Sequence, residues 1–427
     1  MSFLHVVQKR KRKSRVLGQV KIARREQFND LDLDSKVEFI RNLAQVGMMH
    51  VQEMLDENVA ALAGPRYSRG DQWAGSRYGS NRGSVQLSGQ RVPVKVPRVR
   101  GPEGEIALEC YEALNKRGTK QDELLMKRVL YGISCRDYEA AAEAIPGAIG
   151  LSSSTVSRQF VAASAAQLRS FQERDLTGED IVALFLDGKA FADDMMVVAL
   201  GIRMSGEKVF LGFVQTDTEN EKVLTPFLRS LLSRGLDVSE GLLVVIDGSK
   251  GLRSAVHRAF RGRAVVQRCV WHKRENIVSY LAKSEQVYWR RRLQAAFDRP
   301  TEAEARRQLM AVHKELEEKN QSAASSLMEG LEDILTLHRL GMYALLGRSF
   351  KTTNCLESVN ARVEERCLKI DSWKNSSQKQ RWLVTALLDV EPRMHRVAGY
   401  RHLPMLRTAI MCELKIEAVE RSSEMVA

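Results

Sequence analysis

The sequence predicts an α/β protein: a mixed sheet with an antiparallel side, basic helical segments ahead of it and a long helical stretch behind. Three observations carry this. Between residues 181 and 270, short apolar runs and helical spacings follow the order β-β-β-α-β-α-β, and a meander passing into alternating helices and strands builds such a sheet. Residues 284–345 are rich in Ala, Glu, Arg and Leu and hold no strand signal. The net charge of +13 sits at the front: residues 1–30 and 66–101 each carry +7, leaving the remainder near neutral.

The elements follow in chain order. Residues 1–64 read as a basic arm, with the run Lys9, Arg10, Lys11, Arg12 and Lys13, and an amphipathic helix over 35–63. In that helix Val51, Leu55 and Val59 share one face, Ser35 can cap the start and Gly64-Pro65 ends it. Residues 65–101 are an Arg/Gly-rich linker or DNA-binding arm. Its first part reads as a flexible loop; in its second, Pro93 and Pro97 allow only an edge strand or extended arm. Arg77, Arg82, Arg98 and Arg100 are its candidate phosphate contacts. Residues 102–175 are predicted to be helical, with pieces at 121–131, from Ser134 to Ala144, and from 151 onward. The last opens with Ser153, Ser154, Thr155, Ser157 and Arg158, small hydroxyls and a cation suited to the reading helix of a helix-turn-helix. Three ordinary packing helices would show the same spacing.

Residues 176–283 hold the sheet, with strands expected at 181–186, 195–204, 208–215, 242–246 and 264–270. The helical stretch 284–345 follows, then 346–398 with two more helices, then a peripheral tail, 399–427. Six cysteines without paired spacing exclude a disulfide scaffold. No apolar run approaches the ~18 residues of a membrane helix, and the start has no signal-peptide core. A cytoplasmic protein with a polyanionic partner is the expectation, since localised basic charge gains affinity by releasing counterions from phosphates.

Asp187 and Asp247 each follow an apolar run and precede glycine. Ligand sites form at strand ends of open sheets, and two carboxylates there repel unless a cation lies between them. Asp-Gly is also a common turn pair. A third carboxylate, Glu357 on a helix capped by Thr353 or Asn354, would complete a two-metal site for in-line displacement at phosphorus. Alone, a helix Glu is usually a solvated surface residue.

At these residues the chain resembles Mutator-type bacterial insertion-sequence transposases. The matching blocks are Leu186-Asp187-Gly188, Ile246-Asp247-Gly248, Arg268 through Lys273, and Thr352 through Glu357 with Asn360 and Arg362. The resemblance implies a ribonuclease-H-like catalytic domain with the triad Asp187, Asp247 and Glu357 holding two Mg²⁺ (or Mn²⁺) ions, and a helical insertion before the Glu. It also implies N-terminal binding of terminal inverted repeats in double-stranded DNA, cleavage, joining of a 3′-hydroxyl to target DNA, and a homodimer or larger synaptic complex in a bacterial, nucleoid-associated setting. Cys269, His272, Asn354, Asn360 and Arg362 are supporting candidates. His272 is expected near the scissile phosphate or behind Asp247, and Asn360 shares the face of Glu357. Cys269 can equally be a packing residue, and one Cys-His pair is too few ligands for zinc. Arg268, Lys273 and Arg274 could steady phosphates, and Trp289 is expected in a core. The rival readings are a non-catalytic DNA-binding regulator and a two-metal nuclease without joining.

Overall fold

The computed structural model describes residues 3–8, 16–21, 50–67, 72–87, 90–115, 119–132, 152–191, 193–218, 220–368 and 370–416. The chain divides into two compact units, Met1–Ala163 and Ser164–Ala427.

In the first unit, β1 (Phe3–Gln8) and β2 (Val16–Lys21) pair antiparallel. Helix α1 is described over 50–63 and ends where the sequence placed its stop, at Gly64; residues 35–49 of the expected helix, with Ser35, lie outside the described residues. The stretch 66–91, expected as a loop, instead contains β3 (Ser76–Leu87), which pairs with β4 (Gln90–Gly101) and, through it, with β5 (Gly104–Ile106). The prolines explain the pairing: β5 meets β4 only at Val99–Gly101, so Pro93 and Pro97 lie where β4 has a single partner, as a residue without an N–H requires. Val51, Leu55, Val59 and Ala63 of α1 pack on Val85, Val92, Val99 and Leu108. The hydroxyl of Tyr111, on α2 (Glu109–Asn115), donates to the Ser84 carbonyl and accepts from its N–H (3.3 and 3.4 Å). Helix α3 (Thr119–Leu130) follows, and α4 (Ser153–Gln172) spans the division. The helix expected from Ser134 to Ala144 lies outside the described residues.

The second unit is a five-stranded mixed sheet with helices. In sequence come β6 (Ile181–Phe191), β7 (Asp194–Arg203), β8 (Lys208–Thr216), α5 (Glu221–Ser233), β9 (Leu242–Ile246), α6 (Lys250–Phe260) and β10 (Ala264–Arg268). This is the β-β-β-α-β-α-β order of the sequence. Strand order is β10-β9-β6-β7-β8: β6 runs parallel to β9 and β9 to β10, while β6-β7-β8 is an antiparallel meander. Alternation along the strands sends Leu184, Leu186, Val244 and Ile246 into one core with Leu224, Leu228, Leu252 and Val256 of α5 and α6. Phe185 faces the other way and stacks on Phe350, ring centroids 5.6 Å apart.

After α7 (Val270–Ser279) the chain is helical, as expected for 284–345: α8 (Gln286–Phe297), α9 (Glu302–Lys319), α10 (Gln321–Met328), α11 (Leu331–Ile334), α12 (Thr336–Arg339) and α13 (Tyr343–Phe350). Their core includes Trp289, Leu293, Leu309 and Leu327; Trp289 is 3% exposed, the packing residue anticipated. Helices α14 (Asn354–Cys367), α15 (Ser376–Val390) and α16 (Leu403–Glu413) complete the unit. No helix among the described residues is long and apolar enough to cross a membrane.

Candidate active site

The parallel pairing of β6 and β9 ends at Leu186↔Ile246. The next residues are Asp187 and Asp247, so the two carboxylates stand on neighbouring strands, one register position past paired residues and on the face opposite the α5/α6 core. β6 continues beyond this point with β7 alone, to Phe191. Asp187 is therefore inside a strand and buried, while Asp247 is half-buried in a loop and accepts the Ser249 N–H on Oδ1 (2.9 Å). Ser249 then caps α6 through the Leu252 N–H.

Helix α14 packs against β6. Lys189, two residues beyond Asp187 on the same strand face, pairs with Glu364 of this helix at 2.7 Å. Glu357 lies seven residues before Glu364, on the same helical stripe, with Asn360 between them. Glu357 is exposed and Asn360 buried. Asn354 and Arg362 are exposed on α14. The three carboxylates do not close into one ligand set here: among the described residues no group of three or more His, Cys, Asp or Glu has metal-holding geometry. The donor chemistry nevertheless suits a hard divalent cation, which takes carboxylate oxygens, and Asp187 and Asp247 are adjacent in register.

Cys269 caps α7 and its side chain is buried; its N–H donates to the Ile246 carbonyl (2.7 Å), fixing it behind the Asp247 loop. The buried Thr353 hydroxyl bonds the Cys269 thiol (3.6 Å) and lies 3.4 Å from His272 Nδ1. Thr353, not Asn354, is the N-cap of α14, and its hydroxyl serves this contact rather than the helix end. Hydrogen bonding to Cys269 pulls the His272 imidazole up to about 9, with Cys269, Asp187 and Asp247 adding to the shift as charges. The shift favours the protonated imidazole, in the field of both carboxylates. Burial pushes the Cys355 thiol up to about 12, with Asp187 contributing, which puts the start of α14 within the field of Asp187.

The cations expected on phosphates beside this motif are committed elsewhere. Lys273 has a fully buried side chain and donates to Glu329 at 3.2 Å. Arg268 is 7% exposed and meets the same residue. Arg274 bonds Glu275 and Gln294. Lys273 is turned inward by Glu329, 56 residues away, a distance that no local pattern in the sequence records. In the sequence Thr353 stood only as a helix cap and Trp271 only as a member of a matching block. Trp271 is 41% exposed, edge-on to His272 with ring centroids 4.8 Å apart.

In the first unit, Arg77 donates to the Gly64 carbonyl through Nη2 and Nε (2.8 and 3.3 Å), bracing the end of α1. Arg98 forms a fork with Glu105. Arg82 and Arg100 are exposed, Arg100 lying over the Tyr78 ring at 5.2 Å. Arg82, Arg91 and Lys95 line an open cavity of about 1030 Å³. At the start of α4, Ser153, Ser154, Ser157 and Arg158 are exposed and Thr155 half-buried; the Ser152 hydroxyl accepts the Thr155 N–H. Lys9, Arg10, Lys11, Arg12 and Lys13 lie outside the described residues.

Comparison with known proteins assigns the family. The sequence profile described as "Transposase, Mutator family" matches residues 16–395. The transposase for insertion sequence element IS256 in transposon Tn4001 of Staphylococcus aureus is 25% identical over 358 residues, covering 79% of this chain and 87% of the relative. That for IS905 of Lactococcus lactis subsp. lactis is 25% identical over 375 residues (85% and 92%), and that for IS406 of Burkholderia multivorans 30% over 315 residues (69% and 76%). With a match across most of its length, the chain belongs to the Mutator family of transposases.

Proposed function

We propose that this transposase has a ribonuclease-H-like catalytic unit that cuts DNA at the terminal inverted repeats of an insertion sequence and joins the freed 3′-hydroxyl to target DNA. The observation that carries the reading is the register Leu186↔Ile246, which makes Asp187 and Asp247 neighbours across β6 and β9. The order β10-β9-β6-β7-β8 supports the fold, and the Lys189–Glu364 pair supports Glu357 as the third acid by placing its stripe against β6.

Asp187 and Asp247, with Glu357 drawn in when DNA is bound, would hold Mg²⁺ or Mn²⁺. Such ions supply positive charge to the scissile phosphate and acidify the attacking hydroxyl. The chain's own residues do the rest. Buried Asp187 keeps its carboxylate in place through the strand, and the Ser249 N–H does the same for Asp247. Protonated His272 adds a fixed positive charge where negative charge builds on phosphorus. In the first step water adds to phosphorus and the bond to the 3′-oxygen breaks, leaving a 3′-hydroxyl and a 5′-phosphate. In the second, that 3′-oxygen attacks a target phosphate as the target's own P–O3′ bond breaks, so the number of diester bonds is conserved. Arg82, Arg100 and the start of α4 are proposed to contact the repeat, and joining two ends calls for at least two copies of the chain.

The test uses duplexes carrying the inverted repeats that flank the coding sequence, with Mg²⁺. Asp187→Ala, Asp247→Ala and Glu357→Ala should each abolish cleavage and joining; retained activity in any one removes that residue from the triad. Cleavage without joining by the unaltered protein would favour a nuclease, and repeat binding without either step a regulator.

A further inference from the structure

Arg268 is the last residue of β10 and pairs in register with Ile246, the residue before Asp247. Its guanidinium passes between two glycines more than eighty residues apart in sequence. One is Gly248, directly after Asp247 (φ +114°); the other is Gly330, at the turn into α11 (φ +74°). A Cβ added to Gly248 would fall on Arg268 Nε, and one added to Gly330 on Nη1, both far inside van der Waals contact. Nη1 donates to the Glu329 carbonyl (3.3 Å) and meets its carboxylate (3.5 Å). The residues beside Arg268 extend the seam. Gln267 Nε2 donates to the Ile334 carbonyl (3.0 Å) and its Oε1 accepts from the Leu337 N–H (2.9 Å). The Thr336 hydroxyl donates to the Val266 carbonyl (2.6 Å). Residues 329–337, which close the core of the helical insertion, are thus stitched to the last three residues of β10.

We infer that Arg268 is a positioning residue: its guanidinium, wedged between Gly330 and Gly248, makes the docking of the insertion set the place of the Asp247 carboxylate. The inference rests on the reading of Asp247 as part of the acidic site. The fit is close, because a Cβ on either glycine would overlap the guanidinium in addition to the strain of its positive φ. It is also costly. Arg268 Nε is buried with no hydrogen-bond partner, a penalty that an apolar residue of similar volume would not incur. A residue serving only to fill the core gains nothing from that cost; one that must hold a loop against a distant segment does. The loop is otherwise tied by the Cys269 N–H to the Ile246 carbonyl before it and by the Ser249 N–H and cap after it, and the guanidinium fills the space against Gly248 between them. Unlike a packed methyl group, a planar guanidinium is rigid in two dimensions and transmits a displacement at Gly330 to Gly248.

A double-mutant cycle on the full chain tests this, with Gly330→Ala, Arg268→Met and both together; methionine keeps the volume and spares the fold. Ala at residue 330 carries left-handed backbone strain in either background, so global stability is not the readout. Amide exchange over residues 247–252 is, together with kcat and KM for cleavage of the repeat duplex. Each single variant should speed exchange there by roughly tenfold and lower kcat with KM unchanged. The double variant should be no worse than Arg268→Met alone, because the clash partner is gone. Multiplying losses in the double variant, or unchanged exchange at 247–252 in both singles, overturns the wedge. The exchange arm decides even if the unaltered protein cuts no DNA, an outcome that would count against the functional reading instead.

Discussion

Arg82 and Arg100 lie exposed on the three-stranded sheet of the first unit, whereas in the second Lys273 has no accessible side chain and Arg268 is 7% exposed. The first pair faces solvent on a short, Pro-containing sheet backed by a small core. The second pair is bound to Glu329 between a strand end and a helical insertion. Positive charge in this chain therefore has two uses that composition cannot separate. At the front it is exposed to solvent; around the carboxylates the two cations Lys273 and Arg268 are internal structure.

The sharpest break of this contrast would come from the acids. Asp187→Asn and Asp247→Asn should lower cleavage by at least about 10³-fold, the scale of several kcal/mol of lost charge stabilisation. In buffer without divalent ions their Tm should hold or rise, because two neighbouring like charges become one. A falling Tm with cleavage intact would make these aspartates structural. Next in size, Glu329→Gln leaves buried Lys273 and Arg268 short of their counter-charge and should cost about 2 kcal/mol in denaturant unfolding, reduced from a fully buried pair because Glu329 itself is partly exposed. Lys273→Met should be close to neutral. The reverse ranking would mean that the cations, not the acid, hold the insertion.

Smaller effects are expected at the front. Arg82→Ala and Arg100→Ala should each weaken binding to any duplex and lower the slope of log K against log salt by about one. Arg77→Ala should instead destabilise the unit without changing that slope, since Arg77 is spent on the Gly64 carbonyl. The smallest signal is in pH. Burial, and then Arg268, hold Lys273 down to about 8 against 10.5 for a free lysine, so the unfolded chain binds the extra proton between those values and stability gains from Lys273 as pH rises through them. Its neighbour His272 is raised, so its contribution is full below 6.5 and is lost as pH climbs through about 9. Tm profiles of Lys273→Met and His272→Gln, each subtracted from the unaltered protein, should therefore slope in opposite directions.

Much of the second unit was legible because its strands are short, fully apolar runs and its helices keep one face. The run Leu242–Ile246 was placed to the residue, and Asp187 and Asp247 stood out by following such runs. β6 was read as ending at Leu186, since Asp-Gly looks like a turn; pairing with β7 carries it through to Phe191. β3 was missed because a strand of Ser, Gly, Arg and Asn has almost no hydrophobic period, and it is held by pairing with β4 and by the Tyr111 hydroxyl. The Glu329 cluster and the Thr353 contact with Cys269 were invisible for a different reason: they join residues 56 to 84 apart in sequence, and no local pattern records which distant acid or hydroxyl will arrive.

The placement of Phe350 over Phe185 has a consequence for the chain as it is made. Strands β6 to β10 and helices α5 and α6 are all present once residue 268 has emerged, and one face of the sheet can then close. The face bearing Phe185 waits for α13, about 80 residues later, which is of order ten seconds at ordinary synthesis rates of roughly 5–20 residues per second. For that interval a ribosome-bound nascent chain offers an open apolar sheet face, and α14 with Glu357 has yet to be translated. On the proposed triad, the order of the genetic message keeps the acidic site incomplete until the sheet is covered.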